Sequence, residues 1–221
     1  MNILIVGASR GIGLEFVRQY RAEGHRVVAT ARSAEGLERI AALGAKALPL
    51  DVTGTADSSA LARPIDGEAF DVAVINAGVY GPRKSVLQVP TQDEFDLVMR
   101  TNVLGPMRVA AQLDGALAPG ARLAVITSKM GSIGGRTNGG GWLYRASKAA
   151  ANSVLRDLSF HYAGRAICAA YHPGWVRTDM GGAGADLDVA DSVRDLRAAI
   201  AALTEAGHGG FHDHDGTPLP W

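Results

Sequence analysis

The feature that most constrains this chain lies close to its start. An apolar run, Asn2–Val6, breaks into Gly7-Ala8-Ser9-Arg10-Gly11-Ile12-Gly13, and an amphipathic helical pattern, Ile12–Glu23, follows at once. Lacking a Cβ, Gly7 lets the chain turn sharply. Gly11 lets backbone approach a bulky ligand, and Gly13 lets the helix pack on the strand. The helix start then offers free N–H groups and a partial positive charge to a pyrophosphate. A strand before the glycines and a helix after them separate this pattern from an ordinary tight turn. No Gly-Lys-Ser/Thr follows, so it is not a P-loop.

The rest of the chain repeats the same alternation. Strand-like runs are predicted at Asn2–Val6, Arg26–Thr30, Ala45–Pro49, Val72–Ile75, Arg122–Thr127 and Ile167–Tyr171. Most are continuously apolar, as strands are when helices cover both faces. Helical stretches are predicted at Ile12–Glu23, Ala34–Leu43, Gln92–Leu117, Gly141–Tyr162 and Val189–Ala206. Gly105-Pro106 should kink or divide the third of these. The expected fold class is α/β, a doubly wound parallel sheet with right-handed crossovers. The glycine-rich stretches 131–141 and 181–184 are too short to be linkers, so a single domain over residues 1–221 is expected.

Composition narrows the function. Lys+Arg and Asp+Glu are 22 each, which gives no electrostatic case for binding nucleic acid or an acidic membrane surface. No apolar run approaches the roughly 20 residues of a membrane span. The start of the sequence also lacks the pattern of a signal peptide. The one cysteine, Cys168, sits in an apolar run and is expected to be a buried structural thiol. These features fit a cytoplasmic protein.

The end of the second strand bears on which dinucleotide binds. A site that prefers NAD(H) usually places a carboxylate there, on the ribose 2′-hydroxyl. Here the run is Ala29-Thr30-Ala31-Arg32-Ser33, with no acid. Arg32 would attract a 2′-phosphate with its planar fork, and Arg10 can approach the same phosphate from the other side. NADP(H) is therefore expected, with NAD(H) the lesser alternative.

Tyr144 and Lys148 are four apart on a predicted helix and share a face. An ammonium about 4 Å from the phenol would favour the phenolate by roughly 4 kcal/mol, or about three pK units before desolvation, at an effective dielectric of about 20. That expectation brings the tyrosine into acid/base range. Ser128 ends the fifth strand run, where strand ends face a ligand crevice. Ser132 is a second candidate. Asn102 lies in a helical pattern, and its amide could hold a backbone group or a water.

These residues together resemble the short-chain dehydrogenase/reductase family over essentially the whole length. The turn Gly7–Gly13 looks like the family's cofactor motif. Asp51-Val52 is similar to the pair that contacts adenine, and Asn76-Ala77-Gly78 to the turn after the fourth strand, with Ile75 where many members carry another Asn. Asn102, Ser128, Tyr144 and Lys148 match the catalytic tetrad in order. Pro173-Gly174-Trp175-Val176-Arg177-Thr178 looks like the segment covering the nicotinamide, with Val176 and Thr178 near the carboxamide. Tyr144-Arg145-Ala146-Ser147-Lys148 and the ending Asp215–Trp221 resemble the C-factor/sniffer-like carbonyl reductase branch, which mostly uses NADPH. The resemblance implies a Rossmann fold and an oxidoreductase acting on a small-molecule carbonyl or alcohol. In it Ser128 holds the carbonyl oxygen, Tyr144 donates the proton, Lys148 bonds the nicotinamide ribose and Asn102 shapes a water-linked proton path.

Two departures qualify that picture. Ser128 and Tyr144 stand 16 positions apart, so the loop 131–141 must bulge, and either Ser128 or Ser132 could face substrate. The segment Asp179–Leu187 is short and glycine-rich, which implies a small flap and a permissive pocket. His212-Asp213-His214-Asp215 reads as a solvated tail rather than a metal cluster, and no metal is expected. Ala146, Ala149, Ala150 and Ser153 would let a second copy approach helix 141–162 closely, so a homo-oligomer, dimer or tetramer, is expected. The rival reading from another class is a dinucleotide-binding signalling or regulatory protein of C-factor type.

Overall fold

Alternation within the first strand shows why these strands are apolar throughout. In β1 (Asn2–Val6), Ile3 and Ile5 belong to one buried cluster and Leu4 and Val6 to another. Successive side chains leave a strand on opposite faces, so a strand covered on both sides needs an apolar residue at every position. The computed structural model describes residues 1–54, 60–83 and 87–221. Among these residues seven strands form one sheet, all parallel, in the order β3-β2-β1-β4-β5-β6-β7. The others are β2 (Arg26–Ala31), β3 (Lys46–Pro49), β4 (Phe70–Ile75), β5 (Leu117–Ile126), β6 (Ala166–Tyr171) and β7 (Gly210–His212).

One face is covered by α1 (Gly11–Ala22), α2 (Ala34–Ala42) and α6 (Val189–Ala202), through residues such as Phe16, Ile40, Val193 and Leu196. The other is covered by α4 (Gly105–Leu113) and α5 (Trp142–Tyr162), through Val109, Leu113, Leu155 and Tyr162. Each such side chain contributes about 1.5–3 kcal/mol when fully buried, well above the few tenths that helix propensity offers per residue. The result is the doubly wound Rossmann arrangement expected. The chain builds outward from β1 to β3, then returns to the centre and builds the other way from β4. The crevice between β1 and β4 is therefore the topological switch point, where ligands bind in sheets of this kind.

Three boundaries differ from expectation by more than two residues. The predicted stretch 92–117 is two helices, α3 (Gln92–Met99) and α4, joined by a π-helical turn, Arg100–Leu104. Pro106 has no N–H to return to the Asn102 carbonyl, and the Gly105 N–H reaches back to the Arg100 carbonyl instead. The chain is already strand at Leu117, and the pairing with β4 shifts register between Phe70 and Val72. Helix α6 stops at Ala202 because Leu203 is extended.

The ending is not a solvated tail. Phe211 of β7 is buried and stacks on Trp221. His212 packs on Tyr171 and bonds the Gly216 carbonyl at 3.2 Å. The Cys168 thiol is fully buried, which pushes it up to about 12. No helix among the described residues is long and apolar enough to cross a membrane.

Candidate active site

The glycine turn forms one wall of a cleft of about 410 Å³ at the switch point. Gly7 has φ +87°, and a Cβ there would lie 2.7 Å from the Ala77 backbone. A Cβ on Gly13 would lie 2.1 Å from the Gly7 carbonyl oxygen. Both glycines are thus fixed by packing of the chain on itself. Gly11, at φ +54°, instead faces open space, its nearest neighbour being the Thr178 methyl at 3.4 Å. Helix α1 begins there with no side-chain cap and no acid in its first turn, so its free N–H groups are available to a ligand. Asn76 holds the turn in place, donating from Nδ2 to the Gly7 carbonyl at 2.7 Å.

Ser9, Arg10, Ile12, Asn76, Ala77 and Gly78 share the cleft wall with Gly7 and Gly11. Arg32, Asp51 and Val52 line its far end. Burial of Asp51 opposes its ionisation. Hydrogen bonds from the Thr53 N–H and hydroxyl, with the Arg32 charge, nevertheless hold the carboxyl below its ordinary range. Arg10 departs from expectation. Its guanidinium pairs with Asp179 at 2.7 Å, across the mouth of the cleft, rather than turning toward Arg32. An exposed carboxylate from the flap competes for that arginine, and nothing in the sequence pointed to it.

Tyr144 and Lys148, on successive turns of α5, line the opposite end. Lys148 is buried and donates to the Ile126 carbonyl at 3.1 Å, and burial lowers it to about 8. Tyr144 is also buried, which pushes its phenol up to about 12 against a hydrogen bond from Ser128, with neighbouring Tyr80 adding to the rise. The expectation that the lysine would pull the tyrosine down is not met in this arrangement. The ammonium lies 5.7 Å from the ring centroid and is directed at a backbone carbonyl, so desolvation outweighs attraction.

Of the two serines, Ser128 reaches Tyr144. Ser132 is directed away, donating to the Pro220 carbonyl at 2.6 Å and accepting from Gly135 N–H at 2.9 Å. Asn102, in the π-helical turn, is 1 % exposed and fully engaged. Its Oδ1 accepts from Val79 N–H at 2.8 Å, and its Nδ2 donates to the Val79 carbonyl at 2.8 Å and the Ser147 hydroxyl at 2.9 Å. It therefore holds a backbone group. Ser147 in turn donates to the Tyr144 carbonyl at 2.8 Å. Sequence reasoning missed that serine, whose only signal is its place between Tyr144 and Lys148.

Of the segment after β6, Pro173 and Thr178 line the cleft. Gly174 and Val176 do not. Val176 is buried and pairs with Leu187, and Gly174, at φ +84°, leaves room for the Leu187 side chain. The flap is tied down by Arg83, which donates to the Met180 carbonyl at 2.7 Å. Thr127, also unanticipated, lines the cleft with a buried hydroxyl that has no protein partner. An open glycine cradle, an uncapped helix start and an unpaired hydroxyl suit a long, anionic, polar ligand such as a dinucleotide.

The model of the family described as short chain dehydrogenase matches residues 1–186. The C-signal protein of Myxococcus xanthus is 40% identical over 154 residues, 68% of this chain and 92% of that protein. The carbonyl reductase Sniffer of D. melanogaster superposes with a TM-score of 0.89 at 32% identity, over 100% of this chain and 99% of that one. A carbonyl reductase of Pseudomonas aeruginosa PAO1, solved in complex with NADP, superposes with a TM-score of 0.85 at 33% identity, again over 100% and 99%.

Proposed function

The chain belongs to the short-chain dehydrogenase family, and from that premise we propose that it is an NADP(H)-dependent reductase of carbonyl compounds, with Tyr144 as the acid/base. Its membership makes it an NAD(P)H-dependent oxidoreductase, of the branch that resembles C-signal and Sniffer. The observation that carries the finer reading is the buried pair Tyr144 and Lys148 at one end of a cleft whose other end presents Arg32, with buried Ser128 beside Tyr144. When bound, the nicotinamide supplies or accepts the hydride.

The protein's own residues do the rest. Gly7, Gly11 and the start of α1 receive the pyrophosphate, with Ser9, Ile12 and Gly13 shaping the turn. Asp51 and Val52 border the adenine, and Arg32, joined by Arg10 once it leaves Asp179, takes the 2′-phosphate. Asn76, Ala77 and Gly78 border the ribose and nicotinamide, as do Pro173 and Thr178 on the other side, while Gly174 and Val176 shape the backbone between those two by packing on Leu187. Ser128 donates to the substrate oxygen, and Tyr144 delivers the proton to it. Lys148 bonds the ribose and favours the phenolate that remains. Asn102 positions Val79 and, through Ser147, the first turn of α5.

Arg32 makes the coenzyme preference testable. Arg32→Asp lowers NADPH affinity by about ten- to a hundredfold, the worth of one or two charge-assisted hydrogen bonds, and leaves NADH affinity within about threefold. Fluorescence titration with both nucleotides reads this, and equal losses for both would show that Arg32 does not meet the 2′-phosphate. The activity is tested by following NADPH consumption across aldehydes, ketones and quinones. Turnover supports the reductase reading. NADPH binding without turnover favours the second reading, a coenzyme-binding signalling protein, which the similarity to C-signal supports.

A homo-oligomer, dimer or tetramer, and a place in the cytoplasm complete the proposal. Ala146 and Ser153 are exposed on α5 with Ala149 and Ala150 half-buried beside them, which suits close approach of a second copy.

A further inference from the structure

Tyr80 follows the Asn76-Ala77-Gly78 turn, and its ring stacks on Tyr144 with centroids 4.5 Å apart and planes 23° from parallel. Two features hold it there. The Arg83 guanidinium lies 4.7 Å from the Tyr80 ring centroid, and the same side chain donates to the Met180 carbonyl of the flap at 2.7 Å. Gly141, the residue before α5, makes room for the Tyr80 hydroxyl, for a Cβ there would lie 2.8 Å from that oxygen. A half-buried aromatic, gripped by a flap-bound arginine, thus covers one side of the phenol that the proposed reaction depends on.

We infer that Tyr80 is a positioning residue for Tyr144, keeping the phenol dry and oriented, with Arg83 tying its ring to the flap over the cleft. The inference rests on the acid/base reading of Tyr144. An offset stack at this distance restricts the tilt of the Tyr144 ring and excludes water from the covered side. Burial is the largest cause of the rise in Tyr144, and the charge that the Tyr80 hydroxyl can carry adds a smaller one. The other polar and charged groups facing Tyr144 are the Ser128 hydroxyl on the turn after β5, which lowers it, and the Lys148 ammonium on α5, 5.7 Å from its ring. Arg83 stands beside Tyr80. Removing the ring hydrates the phenol and moves its titration downward.

The test is a titration of the Tyr144 ring carbon resonance in protein carrying labelled tyrosine, without added nucleotide. Tyr144→Phe assigns the signal. Tyr80→Leu is expected to lower the Tyr144 midpoint by roughly one pH unit, and Tyr80→Phe, which keeps the ring and loses only the ionisable hydroxyl, to lower it by much less. Tyr80→Met, which fills the space without a flat ring, gives the same shift should the leucine variant not fold. In turnover, Tyr80→Leu lowers kcat by roughly three- to tenfold with little change in KM, and Tyr80→Phe restores it. A leucine or methionine variant with an unmoved midpoint overturns the inference. So does a phenylalanine variant that shifts as far as the leucine one, since the hydroxyl rather than the stack would then be responsible. If Tyr144→Phe itself remains fully active, the acid/base reading fails, and the titration still reports on the stack.

Discussion

Tyr144→Phe lowers kcat/KM for carbonyl reduction by at least about a thousandfold, within the range that a positioned general acid supplies, while NADPH affinity stays within about threefold of the wild type. The reason lies in how little else can deliver the proton. Ser128 stands beside the phenol and can hold the substrate oxygen, but a serine hydroxyl is a poor acid. Lys148 is directed at the Ile126 carbonyl. Asn102 has its amide committed to Val79 and Ser147. Phenylalanine keeps the stack on Tyr80 and the packing at the start of α5, so the loss reads the hydroxyl alone. Steady-state kinetics and a binding titration on the same preparation check both halves. Retention of more than a tenth of the activity would move the proton donor elsewhere.

Lys148→Met is expected to act in opposite directions on activity and on stability. The ammonium is buried with one backbone hydrogen bond in the structure, and burial lowers it from 10.5 to about 8. Below about pH 8 the lysine is charged in both the folded and the unfolded chain, so the folded state bears the full cost of burying it. Between about 8 and 10.5 the unfolded chain holds a proton that the folded chain has released, so stability rises with pH and the cost fades. Methionine fills similar space without charge. The variant is expected to be more stable at neutral pH by roughly 1–3 kcal/mol, allowing for the lost hydrogen bond to Ile126, and to lose that advantage by about pH 10.5. Its turnover falls steeply, because nothing replaces the cation beside the phenolate. Urea unfolding at neutral and at alkaline pH measures the first effect. A variant less stable than the wild type at neutral pH would show that the ammonium is better satisfied than its one protein hydrogen bond implies.

Much of this architecture could be read from the chain because its causes are local. Strands covered on both faces must be apolar through their buried middles, and residues 3–6, 27–29, 72–75, 123–126 and 166–171 carry that signature. Gly7 and Gly13 have no alternative residue, given what a Cβ would strike. Tyr144 and Lys148 share a face by helix geometry alone. What was missed depends on contacts between distant segments. Arg10 and Asp179 are 169 positions apart, and no local pattern links them. The three residues of β7 are too few for a periodic signal and owe their place to β6 and to Trp221. The π-helical turn follows from Pro106, which announced a break but not its form. The direction of the Tyr144 shift is not legible in the sequence, because attraction to Lys148 and burial of the phenol act in opposite directions and only the fold sets their sizes. Ser132 and Ser128 could be told apart only by seeing that the Pro220 carbonyl claims one of them.

Transfer of deuterium tests the central claim most directly. NADPH labelled at the nicotinamide C4 position, in each stereochemical form, is incubated with the protein and a carbonyl compound that is turned over, and the alcohol is examined by mass spectrometry and NMR. The account predicts label on the carbinol carbon from one form alone, at a rate that collapses in Tyr144→Phe. Alcohol formed without label from either form, or label transfer that is unchanged in the phenylalanine variant, would contradict it.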